Sequence, residues 1–204
     1  MQYGHTIAAG RASRPRPAQS EAADEALLRL IAGGDKDAMR VLFGRHNVRV
    51  FRFLMRLTDN QAAAEDLVSE VFIEVWRRAA AFEGRSQVAT WLLAIARHKS
   101  LSLLRRRSAE ELNEDELVLV QDPSDDPETT LQKCQRSELL HDCLRQLSPA
   151  HREIIDLVYY HERTIDDVAA IVGVPQSTVK TRVFYARKRI GEMLAARGLA
   201  RAAV

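Results

Sequence analysis

Apolar residues recur every three to four positions along most of the chain, which is the period of an amphipathic helix, and strand-like alternation is scarce. The pattern therefore predicts an all-α fold. Turn and capping residues divide the first half into four helices. These are a short helix through Leu27 and Ile31 that ends at Gly33 and Gly34, a second capped by Asp35 that runs to about Leu57, a third opened by Asp59 that reaches about Ala79, and a fourth from about Ser86 to Arg107.

The second half begins with an apolar stripe at Leu139, Leu140, Leu144 and Leu147, which predicts another helix. Ser148 followed by Pro149 is a typical helix start, because serine caps the free amides and proline suits the first helical position. The helix that follows contains residues 154–158. Two further helices come after it, so this half is predicted to form a four-helix unit.

Those last two helices have the pattern of a helix-turn-helix. Thr164 and Asp167 are spaced as a capping box, and Ile165, Val168, Ala169 and Val172 form the buried stripe. Gly173 and Pro175 supply the turn. On the second helix the apolar positions predicted to face the core are Val179, Val183, Ala186 and Ile190.

The other faces of that second helix carry a mixture of donors and apolar edges suited to a major groove. The candidate base-reading positions are Ser177, Lys180, Thr181, Phe184, Tyr185 and Lys188, with Gln176 leading into the helix. Arg182, Arg187 and Arg189 flank this strip and are better placed for phosphates. The alternative is a solvated basic helix on an ordinary bundle.

Charge divides the 204-residue chain into four parts. Residues 1–20 carry +3 and are predicted to be a disordered basic tail, and residues 21–107 carry +4. Residues 108–132 contain nine acids and no Lys or Arg, with two prolines, and are predicted to be a flexible acidic linker. Residues 133–204 carry +4. Two basic modules on a tether are typical of a protein that faces nucleic acid.

No apolar run approaches the length of a membrane span, and the first twenty residues lack a signal-peptide core, so a cytoplasmic protein is expected. Cys134 and Cys143 are too far apart on one helix for a disulfide and are expected to be reduced thiols. A metal site with His141 or His151 is the alternative, although no CxxC pair supports it. Neither a catalytic constellation nor a cofactor-binding loop is recognisable.

The helix opened by Asp59 buries one wide stripe through Leu67, Val68, Val71, Phe72, Val75, Trp76 and Ala79. Ile73 lies off that stripe, with Asp66, Glu70 and Arg77 as helical neighbours. A single exposed isoleucine is often without function, but an apolar centre with a charged rim is also typical of a protein contact. The spacing leaves both interpretations open.

Three segments together resemble the extracytoplasmic-function (ECF) subfamily of bacterial sigma factors. They read EDLVSEVFIEVWRRAAAF, TWLLAIARHKSLSLLRRR and LSPAHREIIDLVYYHERTIDDVAAIVGVPQSTVKTRVFYARKRI. The resemblance covers roughly residues 22–107 and 138–195. It implies that residues 21–107 are sigma region 2, which binds core polymerase and opens the minus-10 element, and that residues 133–204 are region 4, which reads the minus-35 element.

The resemblance also implies roles for individual residues. The positions matching the core polymerase contact are Asp66, Glu70, Ile73 and Glu74. Those matching the minus-10 surface are Phe82, Arg85, Ser86, Gln87, Thr90, Arg97 and Lys99, since a flipped base needs stacking surfaces and edge hydrogen bonds. Those matching the minus-35 surface are Gln176, Ser177, Thr178, Lys180, Thr181, Phe184, Tyr185, Arg187 and Lys188. Tyr185 stands where relatives often have arginine.

The partners implied by the resemblance are core RNA polymerase, promoter DNA and an anti-sigma protein that sits between the two modules. The main alternative is a stand-alone helix-turn-helix regulator that binds operators without polymerase. A protein-binding adaptor with solvated basic faces is a third possibility, and it would lack salt-sensitive DNA binding.

Overall fold

The structure, a computed structural model, describes residues 17–111, 140 and 142–197. All regular elements in these ranges are helical, as the sequence predicts. None of these helices is both long and apolar enough to cross a membrane. Residues 1–16, most of the acidic segment and Cys134 lie outside the described ranges.

Module one contains four helices, α1 (Pro17–Ala32), α2 (Lys36–Thr58), α3 (Gln61–Arg78) and α4 (Val88–Glu111), with a 3-10 turn (Ala79–Ala81) after α3. Helix α1 begins within the segment expected to be a disordered tail, at residue 17 rather than near 20. Helix α4 extends through residues 108–111, so the first four residues of the predicted linker are helical.

Capping explains where α2 and α3 begin. Asp35 caps α2 as predicted, because its Oδ1 accepts from the amides of Asp37 at 2.8 Å and Ala38 at 3.0 Å. The predicted cap of α3 was wrong. Asn60 caps it through a 2.9 Å bond from the Ala63 amide, whereas Asp59 ends α2 in the left-handed conformation at φ 50°.

The core of module one is built from the apolar stripes of α2, α3 and α4. Phe53 and Val71 are fully buried in it, together with Leu92. Burying a side chain of this size stabilises the fold by roughly 1.5–3 kcal/mol. Trp76 is the exception to the predicted α3 stripe, because it is 37% exposed.

Module two contains residues 140 and 142–145 in helical conformation, then α5 (Pro149–Ile155), α6 (Ile165–Val172) and α7 (Gln176–Ala196). Helix α5 continues into a π-helical turn at Asp156–Tyr160. The predicted caps are confirmed. Ser148 accepts from the His151 amide at 3.4 Å, and Thr164 with Asp167 forms a complete capping box.

The two modules pack directly on one another. Helix α4 contacts α6, and α2 approaches α5. One continuous hydrophobic cluster includes Phe53 and Leu92 of module one and Leu157, Val168 and Val179 of module two. The tethered modules predicted from charge are therefore in contact in this structure.

A cluster of polar side chains lies at the junction of α2 and the π-helical turn. Arg56 of α2 pairs with Asp156, whose side chain is 5% exposed. The Arg56 guanidinium also lies 3.8 Å from the centre of the Tyr160 ring. His161 stacks edge-on against Phe53, with ring centres 5.4 Å apart.

Burial lowers the pKa of His161 to about 4, and repulsion from Arg56, Arg49, Arg163 and Arg52 acts in the same direction. The Asp156 carboxylate, 3.3 Å from His161 Nε2, favours protonation instead. Since Asp156 already pairs with Arg56, we conclude that burial and the four arginines dominate. His161 is therefore neutral at pH 7.

This neutral histidine predicts a loss of stability on acidification. The unfolded chain binds a proton near pH 6.5, whereas the folded chain resists it down to about pH 4. Between pH 7 and pH 5 the free energy of unfolding should fall by about 2 kcal/mol. The aspartates with lowered pKa values, Asp24 and Asp167, titrate below this window.

Urea unfolding at pH 7 and pH 5 measures this loss. In His161→Gln, which cannot titrate, the difference between the two pH values should largely disappear. An unchanged pH dependence in that variant would assign the effect to another group.

Candidate nucleic-acid and protein-binding surfaces

The outer face of α3 presents an apolar centre in an acidic surround. Ile73 is 50% exposed, and Asp66 and Glu70 are exposed beside it. Glu74 is less accessible, because Arg78 lies 3.5 Å and Lys99 3.8 Å from its carboxylate. The face is thus free in this structure, while its rim is partly neutralised.

The apolar area extends beyond Ile73. Trp76, one turn further along α3, is exposed, and Phe43 of α2 is 40% exposed while its ring lies 4.8 Å from that of Phe72. The apolar stripe of α3 predicts Trp76 in the core, which is wrong. Its spacing of three from Ile73 on a helix would have grouped the two on one face.

Six of the seven predicted minus-10 residues divide into two groups. Phe82, Arg85 and Ser86 lie in the loop before α4, where Arg85 is exposed and the other two are half-buried. The Phe82 ring packs at 5.2 Å from Trp91, which is half-buried, and Arg85 pairs with Glu83 at 2.8 Å on the surface. An aromatic pair beside an exposed cation is suited to unpaired bases and phosphates.

The second group faces module two. Thr90 is 2% exposed and donates to Asp167 Oδ1 at 2.9 Å. Arg163 Nη1 donates to Gln87 Oε1 at 2.7 Å. Arg97 pairs with Glu153 at 2.7 Å. Thr90 is therefore withheld from solvent, Arg97 is partly covered, and Gln87 is exposed but bonded to module two.

Lys99, also predicted to contact minus-10 DNA, lies on the side of α4 that faces α3. Its Nζ is 3.4 Å from Glu70 and 3.8 Å from Glu74. It thus joins the acidic face of α3 to α4.

Asp167 has a double role in this arrangement. Burial would raise the pKa of its carboxyl group, but hydrogen bonds from Thr164 and Thr90 outweigh burial and hold the pKa below its ordinary value. One oxygen closes the capping box of α6 and the other accepts from α4. The ionised carboxylate is therefore fixed by both modules.

Helix α7 exposes most of the predicted minus-35 residues together. The exposed members are Gln176, Ser177, Lys180, Thr181, Phe184, Tyr185, Arg187 and Lys188, while Thr178 is half-buried. Val179 and Ala186 face the core on the opposite side. The left-handed Gly173, at φ 71°, makes the turn that orients α7.

Two aromatic rings dominate this exposed strip. Phe184 is 63% and Tyr185 54% exposed, and their rings meet edge to face with centres 5.4 Å apart. Exposed rings of this size are uncommon on a free surface and are suited to thymine methyl groups or a protein partner. Thr181 is oriented by a 2.9 Å bond to the Ser177 carbonyl.

Neither cysteine nor histidine forms a metal site in the part of the chain that the structure describes, where no cluster of three ligand-type residues occurs. Cys143 is a buried free thiol.

Two family models match the chain in order. Sigma-70 region 2 matches residues 42–110 and Sigma-70, region 4 matches residues 143–192. The ECF RNA polymerase sigma factor SigL of Mycobacterium tuberculosis is 30% identical over 175 residues, which cover 83% of this chain and 96% of SigL. The RNA polymerase sigma factor CarQ of Myxococcus xanthus is 31% identical, covering 79% and 91%.

A solved structure is similar across both modules. The sigma factor RpoE of Bartonella quintana, in complex with the anti-sigma factor NepR, matches with a TM-score of 0.64 and 28% identity, covering 76% of this chain and 96% of RpoE. The fold, the order of the two regions and these relatives define a sigma-70-type initiation factor. The chain belongs to the ECF RNA polymerase sigma factors.

Proposed function

We propose that this ECF sigma factor docks on core RNA polymerase through the outer face of α3 and reads a two-part promoter with α4 and α7. The observation that carries the docking assignment is the exposure of Ile73 on a helix whose opposite stripe is fully packed. Asp66, Glu70 and Glu74 form the charged rim, and Trp76 enlarges the apolar centre. Apolar centres with polar rims are the usual anatomy of protein interfaces.

Module one is proposed to open and hold the minus-10 element. Phe82 supplies a stacking surface, and Arg85, Ser86 and Gln87 supply polar groups around it. Arg97 and Lys99 on α4 are proposed to hold the DNA backbone. This assignment is supported by the half-buried Phe82 and the exposed Arg85 before α4. It requires three side chains to leave their contacts with module two, those of Gln87, Thr90 and Arg97.

Helix α7 is proposed to read the minus-35 element in the major groove. Lys180, Thr181 and Tyr185 are the base readers, because all three are exposed on the strip opposite the core. Lys188 continues the same strip, whereas Arg187 lies toward the flank and is assigned to phosphates. A lysine bonds to guanine, and the aromatic edge of tyrosine contacts thymine methyl groups.

Replacing a base reader should change sequence preference. Tyr185→Ala should reduce the free energy of discrimination between bases by about 1–3 kcal/mol at one promoter position, and it should leave the preference at the other positions unchanged. The matched control is Arg187→Ala on the same helix, which should weaken all sequences alike and reduce the salt dependence of binding. Transcription from templates randomised across the minus-35 element, sequenced as transcripts, measures both. A uniform loss for Tyr185→Ala would reject its role as a reader.

The factor is proposed to act in the cytoplasm as an initiation factor without catalytic activity of its own, under the control of a separate anti-sigma protein. The Bartonella quintana relative was solved with such an inhibitor. The resemblance predicts a partner between the two modules, but direct bonds such as Thr90 to Asp167 occupy that place here. An inhibitor of the closed chain would therefore bind across the outside of both modules.

Competition tests this control. The anti-sigma protein and core polymerase should exclude each other from the factor, because both need the α3 face. A stable complex containing all three would contradict occlusion. Cys143→Ser should leave inhibition intact, since the thiol is buried and unpaired.

A further inference from the structure

A cavity of about 270 Å³ lies between α2 and the first part of module two. Arg52 and Arg56 line it from α2, and Arg145 and Arg152 line it from module two. None of these arginines belongs to the surfaces assigned above to polymerase or promoter DNA. The cavity is therefore a separate feature of the molecule, and its test does not depend on the proposed function.

The charged side chains that line this cavity do not balance. Four arginines and two aspartates, Asp59 and Asp156, face it, which leaves two positive charges uncompensated. Asp156 is already paired with Arg56. Asp59 can offset only one of the remaining three arginines. The cavity is therefore suited to an anion with about two negative charges.

Arg152 is a fixed cation in this cavity. Its Nε donates to the Leu144 carbonyl at 3.1 Å, and its Nη2 donates to the carbonyls of Arg145 at 2.6 Å and Leu147 at 3.4 Å. These bonds hold the guanidinium at the end of the helical segment 142–145. Carbonyl dipoles offset only part of its charge, so Arg152 still attracts an anion.

Arg52 and Arg145 supply free donors beside Arg152. Both are exposed, and neither side chain makes a hydrogen bond or ion pair within the described part of the chain. A guanidinium presents a planar fork of donors that matches the oxygens of a carboxylate or a phosphate. A carboxylate carries one negative charge, whereas a phosphate monoester carries about 1.5 to 2 at pH 7. The charge of the cavity therefore favours a phosphate monoester.

The rest of the lining is apolar or aromatic. It is formed by Phe51, Met55, Leu144 and Tyr160, and the Arg56 guanidinium lies 3.8 Å from the centre of the Tyr160 ring. Aromatic side chains favour flat rings as stacking partners. A volume of about 270 Å³ lies just below the roughly 300–1,000 Å³ of sites for drug-sized ligands, so the occupant is a small molecule.

We infer that this cavity binds a nucleoside monophosphate. Its phosphate lies among Arg52, Arg145 and Arg152, and its base packs on the apolar wall that includes Phe51 and Leu144. Because the arginines come from both modules, the ligand joins α2 to module two. Binding to the folded chain alone stabilises that chain by mass action, so the melting temperature rises with the concentration of the nucleotide.

Isothermal titration of the full-length chain tests this site, with AMP, GMP, CMP and UMP as probes at about 0.15 M salt. At least one of them should bind saturably, whereas the matching nucleoside, which lacks the phosphate, should not bind. Arg52→Ala and Arg145→Ala should each weaken binding about tenfold, because each removes a charge-assisted hydrogen bond. The matched control is Arg49→Ala, which removes an exposed arginine of α2 outside the cavity. It should change affinity less than about twofold, because salt screens a distant surface charge.

The melting temperature gives a second readout. Without ligand, it should be nearly the same in the wild type and in all three variants, because the replaced side chains are exposed. Saturating nucleotide should raise it in the wild type and in Arg49→Ala. The double variant Arg52→Ala with Arg145→Ala should show no such rise.

Binding that is lost selectively in the two cavity variants, and that requires the phosphate, supports the inference. Absence of saturable binding by all four nucleotides would overturn it, and so would an equal loss in Arg49→Ala. Inorganic phosphate that binds as tightly as the best nucleotide would overturn the assignment of the apolar wall to a base. A single-stranded oligonucleotide without a terminal phosphate serves as the last probe. If it binds more tightly than the nucleotide and loses affinity in the same two variants, these arginines contact DNA instead and the inference is wrong.

Discussion

Arg56→Ala should lower the free energy of unfolding by about 3 kcal/mol, because it leaves Asp156 uncompensated in a buried position. The Asp156 side chain is 5% exposed, and its partner also packs on the Tyr160 ring. A buried carboxylate without its cation must be protonated or hydrated, and either change disrupts the contact of α2 with module two.

Urea unfolding of the full chain measures this loss. The matched control is Arg40→Ala, which removes an arginine of the same helix from an exposed pair with Asp37 and should cost less than about 1 kcal/mol. The double variant Arg56→Met with Asp156→Leu should recover most of the stability, because well-packed apolar groups often replace a buried pair without loss. Equal costs for Arg56→Ala and Arg40→Ala would show that the pair between the modules contributes little.

Ile73→Asp should weaken binding to core RNA polymerase by about 2 kcal/mol or more, which is roughly thirtyfold in affinity. An apolar side chain at the centre of an interface fills a pocket on the partner, so replacing it with a charged group lowers the affinity by this amount. The same change should leave the melting temperature nearly unaltered, because half of the Ile73 side chain is already in water.

Leu30→Asp is the matched control, since Leu30 is 52% exposed on α1, outside the proposed surface. It should retain polymerase binding. Trp76→Ala should weaken binding in the same direction as Ile73→Asp, because the two residues lie one turn apart. Wild-type affinity for both α3 variants would assign this face to another role.

Local patterns predicted the local structure well. Asp35, Ser148 and Thr164 begin helices as expected, because a cap depends only on residues within one turn. The error at Asp59 has an equally local cause. Two adjacent residues can cap, and the backbone places Asp59 at the end of α2, which leaves Asn60 to begin α3.

Local sequence patterns could not predict the contact between the modules. Thr90 and Asp167 are 77 residues apart. Each has an ordinary local role that explains it without the other, Thr90 on a promoter-facing helix and Asp167 in a capping box. Helical periodicity shows that Leu157 and Val168 are buried, but not which helix covers them. The sequence predicted the candidate surfaces residue by residue, whereas the burial of Thr90 and the pairing of Arg97 with Glu153 depend on tertiary packing.

Run-off transcription tests the central claim most directly. Purified core RNA polymerase is combined with the full-length chain and a library of linear templates whose minus-35 and minus-10 elements are randomised. The expected result is a set of transcripts that start at a fixed distance from one enriched pair of elements, only when both proteins are present, and that are lost with Ile73→Asp. Template binding by the chain alone at specific operators, with no promoter-specific transcript in the presence of core polymerase, would contradict it.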